Sequence, residues 1–249
     1  MAILLSNDDG VSSPGLTILQ ETLAVLDEVW VVAPDRDQSA VSHSLTLYRP
    51  LRIEPLGPRV FTVDGTPTDC INLAINGILH ERPRLVISGI NRGANLGDDI
   101  TYSGTVSAAM EATLLGVPAV AVSLVGRDHF DFGPAASFTC ALAATILRDP
   151  LPADTLLNVN LPELTASEIK GYALTRQGKR RYGDAIVEKV DPRGKKYYWI
   201  GGDALGFIDA EGTDFSAIEQ GLISVTPLHL DLTNYASLKQ LQNLKVRWP

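Results

Sequence analysis

The sequence predicts an α/β protein with a Rossmann-like three-layer core, a mostly parallel sheet and a protruding C-terminal β-hairpin arm. Short continuous apolar runs alternate with amphipathic helical patterns over the first two-thirds of the 249 residues. Continuous apolar strands are typical of a parallel sheet that helices cover on both faces. Beyond about residue 163 the composition shifts, and a cationic segment with alternating apolar residues predicts the arm.

The predicted elements alternate along the chain. Apolar runs predict strands at Ala2–Leu5, Val29–Ala33, Arg59–Val63, Leu85–Ser88, Ala119–Leu124, Leu156–Val159 and Leu222–Val225. Amphipathic patterns predict helices from Pro14 to about Leu26, from Pro67 to about Leu79, at Thr105–Leu115 and at Ala135–Leu147. A final helix near Ala236–Val246 is expected to return to the core. Right-handed crossovers join these elements into one domain that spans residues 1–249.

Composition and charge exclude several classes of protein. There are 21 Lys and Arg residues against 29 Asp and Glu residues, a net charge of −8, which argues against a chain built mainly to coat nucleic acid. Cys70 and Cys140 lie far apart in apolar contexts, which is typical of buried thiols in a reducing compartment. The first residues carry no signal-peptide pattern, and no apolar run approaches the ~18 residues of a membrane span. We therefore expect a cytoplasmic protein with no membrane partner.

The arm is expected at about residues 172–205. Between Arg176 and Lys196 there are eight Lys or Arg residues and three acidic ones, so this segment carries +5 and the rest of the chain −13. Apolar alternation at 185–190 and 195–200, on either side of an Asp-Pro-Arg-Gly turn, predicts a β-hairpin. Because an isolated hairpin is poorly stable, we expect the arm to pair with another subunit.

The strongest chemical signal is a pair of carboxylates, Asp8 and Asp9, directly after the first strand. Ligands of open α/β sheets bind beyond the carboxyl ends of the strands, where a dinucleotide-binding protein places glycines instead. Two fixed negative charges would repel an anionic substrate unless a divalent cation lay between them. With no His or Cys nearby, the pair suits Mg²⁺ or Mn²⁺ rather than zinc. The alternative is that one carboxylate merely caps the next helix.

Two further polar loops follow strands of the same sheet. The segment 33–44 offers Ser39 as a neutral oxygen ligand, and His43 as a proton donor or a group that orients Ser39; a solvated turn or a structural histidine are the alternatives. The glycine-rich segment 88–97 contains Asn91, whose amide oxygen is an ordinary ligand for a hard cation. Its alternative is a crossover loop that the glycines permit.

Hydroxyl side chains open the helix that begins near residue 104. Ser103 and Thr105 lie where free N–H groups and the positive end of the helix dipole favour phosphate, although a plain hydroxyl cap would look the same. Asp98 and Asp99, just before them, are expected to form a solvated turn. Carboxylates that could hold a cation, amide side chains beside them and a helix N-terminus are all expected at one edge of the sheet. Together they predict a site that holds a phosphoryl group.

The order of the motifs resembles that of a known family. Motifs at Ser6–Gly15, Val31–Ala40, Gly65–Cys70, Ser88–Asn95 and Tyr102–Glu111, with later ones at 175–181, 196–199 and 224–229, are similar to those of SurE, the stationary-phase survival protein family. The resemblance covers nearly the whole chain. Two positions depart from the commonest family pattern, Ser42 in place of Gly and Thr68 in place of Ala, and neither is a ligand position.

The resemblance implies a metal-dependent 5′/3′-nucleotidase, a phosphatase of nucleoside monophosphates that in some members also trims short polyphosphate. It implies one divalent cation per subunit, Mg²⁺ or Mn²⁺, and a homodimer or homotetramer joined by the arm. Carried onto this chain, it makes Asp8, Asp9, Ser39 and Asn91 the metal ligands, with Asp8 and Asp9 catalytic. It places Asn7, Asn95, Ser103, Gly104 and Thr105 around the substrate phosphate.

Several mechanisms and functions stay open on the sequence. We favour metal-assisted in-line attack of water, positioned or deprotonated by Asp8, over a covalent aspartyl-phosphate. A sugar-nucleotide transferase that holds a diphosphate through the same carboxylates is one rival function. A nucleotide-sensing or RNA-binding module that uses the cationic arm is the other.

Overall fold

A computed structural model describes residues 2–126, 130–181, 186–200 and 206–246. The strands are β1 (Ala2–Ser6), β2 (Glu28–Pro34), β3 (Ile53–Gly57), β4 (Val60–Val63), β5 (Leu85–Arg92), β6 (Ala119–Val125), β7 (Leu156–Pro162), β8 (Tyr172–Leu174), β9 (Ile186–Val190), β10 (Lys196–Ile200) and β11 (Ile223–Leu228). The α-helices are α1 (Pro14–Leu23), α2 (Pro67–Leu73), α3 (Gly104–Leu114), α4 (Gly133–Arg148), α5 (Asp214–Glu219) and α6 (Tyr235–Gln240). A π-helical turn follows α2 at Ala74–Ile78, and 3₁₀ turns lie at Gly97–Thr101 and Leu241–Asn243.

The main sheet has the strand order β3-β4-β2-β1-β5-β6-β7-β11-β8 within the described residues. Strand β1 pairs in parallel with β2 on one side and β5 on the other, and β5, β6 and β7 continue the parallel arrangement. Antiparallel pairs occur between β3 and β4 and between β7 and β11. The predicted mostly parallel α/β architecture is therefore confirmed. Chain order reverses between β1 and β5, which opens a crevice at their carboxyl ends.

The apolar side chains of the sheet divide between two core layers. Ile3 and Leu5 of β1 pack into the layer that includes Leu16 of α1, whereas Leu4 packs into the layer that includes Val106 of α3. Successive residues of a strand face opposite sides, so both faces of β1 are buried. This explains why the strand is a continuous apolar run rather than an alternating one.

Helix α1 begins close to β5, and Gly15 makes that approach possible. A Cβ atom at Gly15 would lie 2.3 Å from the carbonyl oxygen of Ile90, a separation that no real side chain tolerates. The helix can therefore follow β1 after only a short loop. That loop carries the Asp8–Asp9 pair.

The predicted arm is present as an antiparallel hairpin of β9 and β10, separate from the main sheet. The side chain of Asp191 closes the turn by accepting hydrogen bonds from the backbone N–H groups of Arg193 and Lys195, both at 2.8 Å. The side chains of Val187 and Trp199 are exposed. Positions 182–185 and 201–205 of the expected arm lie outside the described residues.

The C-terminal helix differs from the prediction. Helix α6 ends at Gln240, none of its residues is buried, and Leu238 is 56% exposed. The prediction that this helix returns to the core of its own chain is therefore wrong. Strand β11 is paired on both edges, by β7 and β8, and α5 already packs against it. Among all described residues, no helix is both long and apolar enough to cross a bilayer.

Candidate functional site

Asp8 lies buried against the first turn of α3. Its Oδ2 accepts a hydrogen bond from the Thr105 backbone N–H at 3.0 Å, and its Oδ1 accepts one from the Thr105 hydroxyl. Gly104 permits this contact, because a Cβ atom there would lie 2.8 Å from the Asp8 Cβ. Ser103 caps the helix, its Oγ accepting from the Val106 N–H at 3.0 Å. The sequence-predicted helix terminus and first carboxylate are thus in direct contact.

Neither carboxylate caps the helix that follows it in the chain. The N-cap of α1 is Ser13, whose Oγ accepts from the Leu16 N–H at 3.4 Å. Asn7 braces the same turn by donating from Nδ2 to Ser13 Oγ at 2.6 Å and to Gly10 O at 3.0 Å. Asn7, placed near the phosphate by the resemblance, therefore has both amide hydrogens committed to the protein. The capping interpretation of Asp8 and Asp9 is wrong.

Asp9 lies at the carboxyl end of β5. Its Oδ2 accepts from the Arg92 backbone N–H at 3.3 Å, and its Oδ1 is 3.8 Å from Arg92 Nε. Asn91, which precedes Arg92 in β5, donates from Nδ2 to Gly93 O at 3.0 Å. Among the described residues, the Asn91 amide oxygen has no hydrogen-bond partner. Asn91 and Arg92 end β5, so the second carboxylate contacts the strand end that carries this neutral oxygen.

The loop after β2 meets the same edge. The backbone N–H of Gln38 donates to the Asp8 carbonyl at 2.8 Å, which ties this loop to the backbone of the first carboxylate one residue before Ser39. Ser39 is exposed, and its hydroxyl and N–H donate to Asp37 Oδ1 at 2.5 and 2.7 Å. Backbone contacts thus bring the segments that carry the four sequence-predicted ligands to one edge of the sheet, and metal binding by these side chains stays a prediction.

Burial makes this pair of carboxylates electrostatically demanding. The pKa of Asp8 is raised to about 6: desolvation is the largest cause, the hydrogen bonds from Thr105 lower the pKa, and the charge of Asp9 raises it. Desolvation also raises the pKa of Asp9; Arg92 lowers it and the charge of Asp37 raises it. Adjacent buried carboxylates are costly to ionise without a counter-charge, so this edge of the sheet favours a bound cation.

The donor set fits a hard divalent cation. It consists of the two carboxylates, the Ser39 hydroxyl and the Asn91 amide oxygen, all of them oxygen ligands of the kind that Mg²⁺ and Mn²⁺ prefer. Within the described ranges, no group of three or more His, Cys, Asp or Glu side chains could hold a metal ion. A cation here would therefore rest on two carboxylates and neutral oxygens.

Sequence reasoning missed a buried amide cluster around Asn95. The backbone N–H of Asn95 donates to Asn160 Oδ1 at 2.9 Å, and its carbonyl accepts from Asn160 Nδ2 at 2.9 Å and Asn158 Nδ2 at 2.8 Å. Asn95 Nδ2 donates to Ser123 Oγ at 2.7 Å. The available signal was two asparagines on one face of a strand that is otherwise apolar, since buried polar groups require partners.

His43 pairs with Glu111 of α3 and not with Ser39, in agreement with the alternative of a structural histidine. Its Nε2 lies 2.9 Å from Glu111 Oε2, and Glu111 Oε1 accepts from Asn72 Nδ2 at 2.8 Å. The hydrogen bond with His43 lowers the pKa of Glu111 below its usual value. Because the Ser39 hydroxyl donates to Asp37 instead, His43 ties the loop after β2 to α3 and does not orient Ser39.

Asp98 and Asp99 are not a free solvated turn. Asp98 Oδ1 lies 2.7 Å from Lys179 Nζ, and Asp99 Oδ2 lies 2.6 Å from an Arg180 terminal nitrogen. The buried Asp214 accepts from the N–H groups of Gly97 at 2.7 Å and Gly178 at 2.8 Å. The base of the arm is thereby fastened to the segment that follows Asn95.

The fold is that of a mostly parallel α/β protein, and an acidic pair lies against a helix N-terminus at the carboxyl end of its sheet, the edge at which proteins of this class bind ligands. The model of the family described as "Survival protein SurE" matches residues 3–184. The chain therefore belongs to the SurE family, and the sequence-based resemblance is confirmed.

Individual relatives match over nearly the full length. The chain is 58% identical to a 5′-nucleotidase SurE of Geotalea daltonii over 99% of this chain and 100% of the relative. It is 59% identical to a 5′-nucleotidase SurE of Geobacter sulfurreducens over 98% and 93%. A crystal structure of the SurE protein from Aquifex aeolicus is similar with a TM-score of 0.88 and 49% identity, over 97% of this chain and 98% of that one.

Proposed function

We propose that this protein is a 5′-nucleotidase that hydrolyses nucleoside monophosphates to nucleoside and phosphate, with one Mg²⁺ or Mn²⁺ bound per subunit. We extend the proposal to 3′-monophosphates and short polyphosphate as further substrates. The names of the relatives support the nucleotidase activity at this level of identity. The observation that carries the proposal is the buried Asp8 carboxylate against the N-terminus of α3, with Asp9 beside it.

Asp8, Asp9, Ser39 and Asn91 would hold the cation, which when bound neutralises phosphoryl oxygens and so eases attack on phosphorus. The first turn of α3 supplies the remaining stabilisation of charge. Gly104 is the first residue of α3, where backbone N–H groups have no acceptor within the helix, and the Ser103 hydroxyl, which accepts from the Val106 N–H, keeps its own hydrogen to donate. These two groups are therefore the direct phosphate donors.

Thr105 and Asn95 act one step removed from the phosphate. Both polar hydrogens of Thr105 point at Asp8, so Thr105 positions that carboxylate rather than the substrate. One amide hydrogen of Asn95 is donated to Ser123, and the backbone N–H and carbonyl of Asn95 are both paired with Asn160. Their contribution to binding is the placement of groups that do touch the ligand.

Asp8 positions the attacking water and takes up its proton. Each carboxylate oxygen of Asp8 already accepts a hydrogen bond from Thr105, which reduces its nucleophilicity and supports direct attack by water over an aspartyl-phosphate. A single turnover in ¹⁸O-water is expected to place one labelled oxygen in the product phosphate by either route, so the routes are separated by acid quench during turnover, in which we expect no phosphorylated protein. Trapping of a phosphorylated protein would instead establish the covalent route.

Release of inorganic phosphate from AMP or GMP by the full chain tests the function. We expect release with Mn²⁺ or Mg²⁺, loss of release with excess chelator, and recovery when the cation is returned. Phosphate transfer that needs a nucleoside diphosphate and an acceptor would identify the sugar-nucleotide transferase. RNA binding with a steep salt dependence and no turnover would identify the binding module.

We also propose that two or four copies assemble through the hairpin arm. Val187, Tyr198 and Trp199 of the arm are 42%, 56% and 63% exposed, and pairing would bury them against a second copy. Gel filtration of a chain that lacks residues 176–196 is expected to show a smaller assembly than the full chain. An unchanged elution volume would contradict the role of the arm.

We place the protein in the cytoplasm. Cys70 and Cys140 are both free thiols, which is typical of a reducing compartment. Cell fractionation checks this, and recovery with secreted proteins would overturn it.

A further inference from the structure

Arg92 is a cationic side chain at the edge of the acidic pair. Its backbone N–H is anchored on Asp9 Oδ2 at 3.3 Å, so the residue is held at the end of β5. The guanidinium Nε lies 3.8 Å from Asp9 Oδ1. The side chain of Arg92 is 49% exposed, whereas that of Asp9 is 9% exposed. The arginine is therefore the solvent-accessible member of this pair, at the edge of the sheet where the proposed function puts the ligand.

The guanidinium has donors to spare. A separation of 3.8 Å is too long for a direct hydrogen bond to Asp9. Among the described residues, no other carboxylate pairs with it and none of its guanidinium nitrogens donates to a protein acceptor. By contrast, Arg180 contacts Asp99 at 2.6 Å and Arg49 contacts Asp64 at 3.0 Å. Arg92 thus keeps a free planar fork of the kind that binds phosphate in a bidentate manner.

We propose that Arg92 is a further substrate-binding residue, whose guanidinium donates to phosphoryl oxygens of the ligand held at Asp8 and Asp9. This inference rests on the proposed function, because it takes the substrate to be a phosphate monoester. The placement of Arg92 has a second consequence. Its positive charge beside Asp9 repels a cation and attracts a phosphate. Arg92 therefore weakens the binding of the cation and strengthens the binding of the phosphate, although the site must hold both.

Replacement of Arg92 by Met tests the proposal, since Met keeps the aliphatic length and removes the charge. Three sets of quantities are compared with the unchanged protein: Mn²⁺ affinity without nucleotide, the affinity for inorganic phosphate in the presence of Mn²⁺, and the kinetic constants KM and kcat for AMP. We expect phosphate affinity to fall and KM to rise by about tenfold, with kcat changed by less than about threefold, as for the loss of a ground-state contact.

Mn²⁺ affinity is the readout that separates substrate binding from damage to the site. Removal of the neighbouring positive charge is expected to leave it unchanged or to tighten it by up to about fivefold. Arg92→Lys, which keeps the charge without the fork, should restore part of the phosphate affinity. Arg148→Met is the matched control: Arg148 pairs with Asp149 at the far end of α4, and its loss should alter none of these quantities.

Unchanged phosphate affinity in Arg92→Met, or weakened Mn²⁺ binding, would overturn the proposal. Its failure is distinguishable from failure of the proposed function. If the unchanged protein releases no phosphate from nucleotides, the nucleotidase proposal fails, while the Mn²⁺ and phosphate titrations still decide the role of Arg92.

Discussion

The side chain of Asn160 pairs with both backbone groups of Asn95, each hydrogen bond measuring 2.9 Å. The amide side chain thereby makes the pair of hydrogen bonds that the backbone of a neighbouring strand would make at this position. The pairing fixes the segment between β5 and the 3₁₀ turn at Gly97–Thr101, and so determines where the ligand meets α3.

Asn160→Asp keeps the acceptor for the Asn95 N–H but loses the donor and sets a carboxylate oxygen against the Asn95 carbonyl. We expect a loss of about 1–3 kcal/mol in the free energy of unfolding, typical of a buried polar group left without its partner. We also expect faster amide hydrogen exchange in residues 93–97. Asn243→Asp, at an exposed position, is the control. Unchanged exchange in 93–97 would show that the pairing does not hold the segment.

Asp8→Asn removes one of the two charges that would hold the cation. The Asn oxygen can still accept a hydrogen bond from Thr105, so we expect a folded protein that has lost Mn²⁺ binding and at least about a hundredfold in turnover. Mn²⁺ titration and phosphate release measure the two effects. Asp149→Asn, on an exposed residue directly after the C-terminal end of α4, should retain both Mn²⁺ binding and turnover. Normal metal-dependent activity in Asp8→Asn would falsify the assignment.

Asp8→Asn also tests how the free energy of unfolding of the metal-free protein depends on pH. Burial raises the pKa of Asp8 from 3.8 to about 6, so the folded state binds this proton more strongly than the unfolded state. The resulting stabilisation is fully present below about pH 4 and is lost as the pH rises through about 6. At pH 8 in chelator, Asp8→Asn should therefore be more stable than the unchanged chain, on the order of 2 kcal/mol.

Urea unfolding from pH 4 to pH 8 measures this difference. The advantage of Asp8→Asn is expected to vanish toward pH 4 and to reverse at pH 8 when Mn²⁺ is added, because only the unchanged chain gains stability from the cation. A difference that is constant across the pH range would show that burial does not perturb Asp8 in this way.

Gly104→Ala tests the close approach of α3 to Asp8. The new Cβ would lie 2.8 Å from the Asp8 Cβ, which is a fixed atom next to the backbone, so α3 and β1 must separate. We expect Mn²⁺ affinity to fall by at least about tenfold and the free energy of unfolding to fall by about 1–3 kcal/mol. Gly77→Ala, where the added carbon would meet nothing within 4 Å, is the matched control. Equal behaviour of the two variants would contradict the tight contact.

The sequence by itself determined the alternation of most strands and helices, the parallel sheet and the position of Asp8 and Asp9 directly after β1, but it did not predict β3, β8 or α5. The features that it did determine follow from local patterns: continuous apolar runs require burial on both faces, and carboxyl ends of parallel strands share one edge. The hairpin arm was equally readable, because its turn residues and alternation are adjacent in the chain. The failed expectation for α6 shows the limit, since apolar residues in a helix reveal a need for burial but not whether the same chain meets it.

Only the tertiary structure decided which side chains meet. Asn95 and Asn160 are 65 residues apart, and Asp9 and Arg92 are 83 apart. Such pairs depend on strand register, and the register of β5 against β6 shifts between Ser88 and Asn91, just before the site. Hydrogen-bond geometry is sensitive to displacements of a few tenths of an ångström, which arise from the packing of whole layers and leave no trace in local sequence.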